Sequence, residues 1–146
     1  MPAYFLDAKV TFFGKPDNDP PGSEDIAHPG TKGNPPVKHL HAGGAGTYLD
    51  PVTVACKALT ITTGARVYFR LPGNRQGFYG IIEDTCGACT SHPLWLDIWI
   101  GGGSSPAAIV IACEERLTPS LPIPVLFNPP PDLPVRGPLF DGTCHP

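Results

Sequence analysis

Charge is scarce in this chain, and no cluster of one sign stands out. Its ten lysines and arginines are scattered over 146 residues, and the formal net charge is −3. The basic stripe that a phosphate backbone demands is missing, which excludes nucleic acid as a partner. Nowhere does an apolar run reach the roughly 18 residues of a membrane-crossing helix. The opening MPAYFLDAKV has neither a charged n-region nor a long apolar h-region, so it contains no visible secretory leader. No internal repeat is present. The length suits one domain with a modest core, expected to act as a monomer.

Proline (20) and glycine (17), by contrast, make up a quarter of the chain. That abundance argues against long helices. Val, Ile, Phe, Tyr and Trp fall in short runs between turn signals, so the expected class is all-β. Residues 8–14 (AKVTFFG) alternate as a strand. Residues 15–46 are a long polar loop without apolar periodicity, of the kind that binds something or stays disordered. Residues 47–63 read as a strand or short turn and then another extended run. Residues 66–71 and 77–83 are strands flanking a Pro-Gly-Asn turn, and residues 107–113 (AAIVIAC) read as a buried strand. From residue 119 the composition shifts, with nine of the 20 prolines in residues 119–146. This divides the chain into a barrel domain, 1–118, and an extended Pro-rich C-terminal tail, 119–146.

The central stretch carries the chemistry. The second of the paired strands ends in Glu83 and Asp84, and Asp97 follows inside Trp95-Leu96-Asp97-Ile98-Trp99. A carboxylate among such neighbours has little water, and a poorly hydrated carboxylate has either a partner or a job. On a strand, Trp95 and Trp99 share a face with Asp97 between them. At least one of the two is expected to pack in the core.

Several motifs occur in a recognisable order. They are Asp50-Pro51, Gly64-Ala65-Arg66-Val67-Tyr68, Pro72-Gly73, Glu83-Asp84-Thr85-Cys86-Gly87-Ala88 and Leu96-Asp97-Ile98-Trp99. Over residues 46–116 this resembles the double-psi β-barrel, specifically the three-aspartate domain of bacterial lytic transglycosylases. Cys86 stands where the bacterial pattern has glycine, and the loop from Asp84 to Asp97 is about two residues longer. The opening VTFFGKPDNDPPGS and the pattern CGAC…LDIWIGG…ACEERLT are also similar to small secreted barrels of the expansin, barwin and family 45 glycoside hydrolase kind, some described as muramidases. The resemblance implies a six-stranded double-psi β-barrel and a cell-wall glycan as partner, with Asp97 as catalytic general acid and then base.

Glycosidic cleavage needs a proton donor whose pKa is raised towards working pH, and apolar surroundings do that to Asp97. Asp84 is the second catalytic candidate, by raising Asp97 or holding a sugar hydroxyl. Its bland alternative is capping the turn at Thr85. Asp50 is the third aspartate, a substrate-binding candidate or a turn former before Pro51. With water as nucleophile, Asp84, Asp50, Asp17 or Asp19 could serve as base. Tyr48, Tyr79, Trp95 and Trp99, with Phe78, are candidate faces for stacking sugar rings.

The five cysteines favour an oxidising, extracellular setting. Two disulfides are expected among Cys56, Cys86, Cys89 and Cys113, with Cys56–Cys86 and Cys89–Cys113 slightly favoured. That leaves Cys144 free or pinning the tail. Zinc on Cys86, Cys89, His92 and Cys113 lacks a second Cys-x-x-Cys, so no metal and no cofactor is expected. His28, His39 and His41 are expected to be structural or exposed, with sugar contact as the alternative. Two functions stand open: a secreted muramidase or lytic transglycosylase acting on peptidoglycan, and a non-catalytic, expansin-like wall-binding module or barwin-like inhibitor. Retention of both Asp84 and Asp97 favours the enzyme.

Overall fold

Six short runs with apolar residues at alternate positions frame the molecule. The structure is a computed structural model describing residues 2–27, 29, 39–57 and 63–146. Its strands are β1 (Tyr4–Phe13), β2 (Val52–Cys56), β3 (Arg66–Phe69), β4 (Phe78–Thr85), β5 (Trp95–Trp99) and β6 (Ile123–Phe127). They close into a barrel in the order β1-β5-β2-β4-β3-β6. The pairs β1–β5 and β2–β4 run parallel, and the other four are antiparallel. The chain is therefore mostly β, as expected. His28 and residues 30–38 of the long loop lie outside the described residues, as do residues 58–62 of the second extended run.

Side chains alternate across a strand, so each strand has an inward and an outward set. Ala8, Val10, Phe12, Val54, Val67, Phe69, Leu96, Ile98, Val125 and Phe127 meet inside the barrel. Gly80 belongs with them because a Cβ there would lie 2.6 Å from Val54 Cγ2 and 3.0 Å from the Phe69 ring. Truncating one of these large side chains, such as Phe69, costs about 3–5 kcal/mol.

Three expectations are corrected. Residues 107–113 are not a strand: α1 (Ala107–Leu117) is a helix. Its Ile and Val residues read as β-branched strand formers, but the buried positions are Val110, Cys113, Glu114 and Leu117, a helical stripe. The boundary at residue 118 does not separate barrel from tail, because β6 fills the gap between β1 and β3. Ile123, Val125 and Phe127 face in, while Pro124 takes an outward position.

The third correction concerns the disulfides, which are Cys86–Cys89 and Cys113–Cys144. Cys56 is buried in β2 and enters neither, and its thiol lies 3.6 Å from the Lys57 carbonyl. Beyond β6 the chain runs back over the barrel. The Tyr79 hydroxyl donates to the Pro130 carbonyl at 2.5 Å, and that of Tyr68 to the Pro134 carbonyl at 2.6 Å. Among the described residues no helix is long and apolar enough to cross a membrane.

Candidate functional site

The outward face of β1 and β5 forms a ladder of matched pairs. Parallel register sets Lys9 beside Trp95, Thr11 beside Asp97 and Phe13 beside Trp99. Each pair makes a specific contact. The Lys9 ammonium sits 3.7 Å from the Trp95 ring centroid, and Phe13 meets Trp99 edge-on at 5.3 Å. Between them, the Trp95 indole N–H donates to Thr11 Oγ1 at 2.8 Å, and the Thr11 hydroxyl donates to Asp97 Oδ1 at 2.8 Å. Asp97 is thus half-buried, held by a hydroxyl and oriented from two strands.

Burial pushes the Asp97 carboxyl up to about 6. The Thr11 hydroxyl opposes that rise, and the charges of Asp17 and Asp84 add to it. A carboxyl in this range holds its proton at mildly acidic pH and releases it on demand. Asp17 ends a single 3-10 turn, Lys15–Asp17, directly after β1. It is exposed, and one of its oxygens accepts the Gly14 amide at 2.8 Å.

Asp84 stands in the same row. Register places Asp97 beside Ala55, and Ala55 beside Asp84 on the other flank. The two aspartates are therefore separated by two strand spacings, roughly 10 Å between Cα atoms. Ala55 is buried with Phe13, Ala42 and Trp99, and Ile26 and Cys86 pack against this group. Ala55 thus stands between Asp84 and Asp97 in the row. The Asp84 carboxylate accepts the Ala27 amide at 2.9 Å and that of Thr85 at 2.8 Å, tying the first loop to the barrel.

The register skips one residue of β4 between Val54 and Ala55, making a β-bulge at Glu83 that turns both Glu83 and Asp84 outward. Glu83 is fully buried beside Thr53 and His39. The Thr53 hydroxyl lies 2.6 Å from its Oε2, and His39 Nδ1 lies 2.6 Å from the same oxygen. The other ring nitrogen, His39 Nε2, reaches Asp50 Oδ1 at 2.7 Å. The hydrogen bond to Glu83 raises the imidazole most, burial opposes it, and Asp50 adds to the rise, giving about 9. At neutral pH His39 is an imidazolium clamped between two carboxylates. Asp50 also accepts the Ala45 amide through Oδ2 at 3.0 Å, and its carbonyl takes the amides of Ala45, Gly46 and Thr47.

The candidate aromatic faces divide. Trp95 is half-buried and borders a groove of about 220 Å3 shared with Lys57, Cys89, His92 and Pro93. Trp99 is 4% exposed and Tyr79 0%, so neither offers the ring face to solvent that sugar stacking requires, and Trp99 is the tryptophan of the pair that packs inward. Phe78 lies in the core. Tyr48 is half-buried, with the Arg66 guanidinium over its ring at 4.2 Å. A larger concavity of about 690 Å3 lies between the 73–76 turn and the C-terminal segment, but its Arg136 is already bonded to Asn74 and to the carbonyls of Gly137 and His145.

The zinc set is dispersed, with Cys113 bonded to Cys144 and His92 Nδ1 bonded within its own turn to Leu94. Among the described residues, the group with metal-ligand spacing is Cys86, Cys89 and Asp97, whose ligand atoms lie within 4.8 Å of one another. Both sulfurs there are joined in the disulfide. Glu114 is the site residue that sequence reasoning missed. The signal was available in the 110/113/114/117 stripe, which puts it on the buried face of α1.

Fold and site together define a closed six-stranded mixed β-barrel with a half-buried carboxyl on its outer wall. The profile of the DDB_G0273701 N-terminal domain matches residues 5–145, and the chain belongs to that family. It is 34% identical over 117 residues to the uncharacterized protein DDB_G0273701/DDB_G0273221 of Dictyostelium discoideum. The match covers 75% of this chain and 45% of that protein, so the chain spans under half the length of this relative. No solved structure matches the chain significantly.

Proposed function

We propose that this domain is a secreted, cell-wall glycan-cleaving enzyme of the double-psi barrel class, acting on peptidoglycan as a muramidase or lytic transglycosylase. The observation that carries the reading is Asp97, a half-buried carboxyl on the barrel wall, raised to about 6 by burial and oriented by Thr11. Asp97 donates the proton to the leaving glycosidic oxygen. Asp17 is the second carboxylate. It is exposed, accepts the Gly14 amide, and is close enough for its charge to raise Asp97. That position suits a base acting on water, which favours the hydrolytic outcome. Asp84 contributes its charge and anchors the 23–27 segment, and Trp95 lines the groove along which a sugar chain lies. Two disulfides support export to an oxidising compartment.

A non-catalytic wall-binding barrel is the second reading, favoured by the closure of Trp99 and Tyr79 against solvent. Incubation with purified peptidoglycan and mass analysis of the products separates the readings. Reducing-end muropeptides support hydrolysis and anhydro sugars support transglycosylation. Pelleting with the wall without any product supports the binding module.

A further inference from the structure

Helix α1 presses its 110/113/114/117 stripe onto the barrel and takes one carboxyl group with it. Glu114 is 6% exposed, and its Oε2 is buried without a hydrogen-bond partner. Among the described residues no lysine, arginine or histidine forms an ion pair with it. The side chain facing it is another acid, Asp17, on the 3-10 turn against which α1 packs.

Close backbone approach creates this meeting. A Cβ on Gly14 would stand 2.6 Å from the Gly101 carbonyl oxygen, 2.8 Å from Val110 Cγ1 and 3.2 Å from Glu114 Oε2. Glycine lets the end of β1 and the helix come this near.

Two carboxyl groups cannot share a hydrogen bond without a proton between them, so one member of the pair is neutral. Asp17 is exposed and accepts a backbone amide. Glu114 has neither advantage. The other charged groups acting on Glu114 repel a negative charge: Asp97 from β5 and Glu115 from its own helix. Lys15, in the 3-10 turn, packs its Cβ by Gly102 and forms no ion pair with Glu114. Burial first, and the Asp17 bond second, push the Glu114 carboxyl up to about 9.

We propose that Glu114 is a positioning residue: a buried neutral acid that donates a hydrogen bond to Asp17 and thereby holds Asp17 as a carboxylate beside Asp97. The inference rests on the glycan-cleaving reading for its consequence, though the proton pair itself does not. In the hydrolytic step, water gives its proton to Asp17 as its oxygen bonds the anomeric carbon. The glycosidic C–O bond breaks, and the leaving oxygen takes the proton of Asp97. Glu114 keeps its own proton throughout and sets the acidity of its neighbour.

The test combines carboxyl 13C NMR on the whole chain with kinetics on purified peptidoglycan. In the wild type one glutamate carboxyl should stay neutral through pH 7 and titrate only on the alkaline side, and that resonance should vanish in Glu114→Gln. The Gln amide still donates to Asp17, so this variant should keep kcat within about threefold and the same low-pH limb. Glu114→Leu removes the donor. Its kcat should fall at least tenfold, with the low-pH limb moved about one pH unit upward, the size expected for a lost hydrogen bond to a charged group.

Ionisation of Glu114 below pH 5 would overturn the neutral-acid assignment whatever the activity. An unmoved low-pH limb in Glu114→Leu would overturn the positioning role. Should that variant not fold, the wild-type and Glu114→Gln titrations decide alone. If millimolar calcium ionises Glu114 and raises the melting temperature, the pair is a cation site and the proposal is wrong. A wild type that releases no muropeptide sinks the glycan reading, while the titration still decides the proton pair.

Discussion

Replacing Asp97 by asparagine tests its chemistry and its cost to the fold together. An aspartate in the unfolded chain ionises near pH 3.9, and in the folded protein burial moves Asp97 to about 6. The native state therefore binds this proton more tightly than the unfolded state. The resulting stability is complete below about pH 4 and is lost as pH rises through about 6. The gap corresponds to about 3 kcal/mol, at 1.36 kcal/mol for each tenfold change. Asn cannot ionise, and its side-chain oxygen can still accept the Thr11 hydroxyl. Asp97→Asn should therefore match the wild type near pH 3.5 and exceed it by up to about 3 kcal/mol at pH 8, while losing all peptidoglycan cleavage. In a chain of this size that gain is roughly 6–12 °C in melting temperature. Urea unfolding of both proteins at several pH values measures it. A variant less stable than wild type at pH 8, or an offset that does not change with pH, would refute the burial argument. Full activity would refute the catalytic one.

Three further outcomes follow from the geometry. Catalysis by wild-type protein should fall as pH rises above about 6, because Asp97 must be protonated to act as acid, and a rate still climbing at pH 8 contradicts that role. His39, raised to about 9 mainly by its bond to Glu83, supplies stability that is full below pH 6.5 and lost as pH passes 9. His39→Gln should cost on the order of 3 kcal/mol at pH 7 and much less at pH 10, read from urea midpoints. Paired Cys113→Ser and Cys144→Ser substitutions open a bridge spanning 31 residues. Calorimetry should show a loss of about 3–4 kcal/mol by the loop-closure argument.

Much of the barrel wall can be read from alternation. In Trp95-Leu96-Asp97-Ile98-Trp99 the period of two puts Leu96 and Ile98 inside and the acid outside between tryptophans. What cannot be read is which strand lies alongside. Thr11 and Ala55 come from segments distant in sequence, and only the register makes them neighbours of Asp97. The bulge at Glu83 is equally hidden, since one extra residue turns two consecutive acids to one face. Local composition misled at both ends of the C-terminal third. AAIVIAC has the residues of a strand, yet its burial repeats with a helical period once Glu114 and Leu117 are included. IPVLF contains a proline, which argues against a strand flanked on both sides, but the proline takes an outward position. Disulfide partners were never legible, because spacing among five cysteines does not fix which sulfurs meet.

The pairing of β1 sets the order in which the molecule can be made. Among the described residues that first strand pairs with β5 and β6, whose residues begin at Trp95 and Ile123. On the ribosome the first strand of the barrel must wait for most of the domain to be translated before either neighbour exists. Until then its ladder groups and the exposed Tyr4, Phe5 and Leu6 stay available to other chains. Cotranslational closure of the barrel therefore waits until residue 127 has emerged, and nascent or truncated chains ending before residue 123 are the species that should need a chaperone.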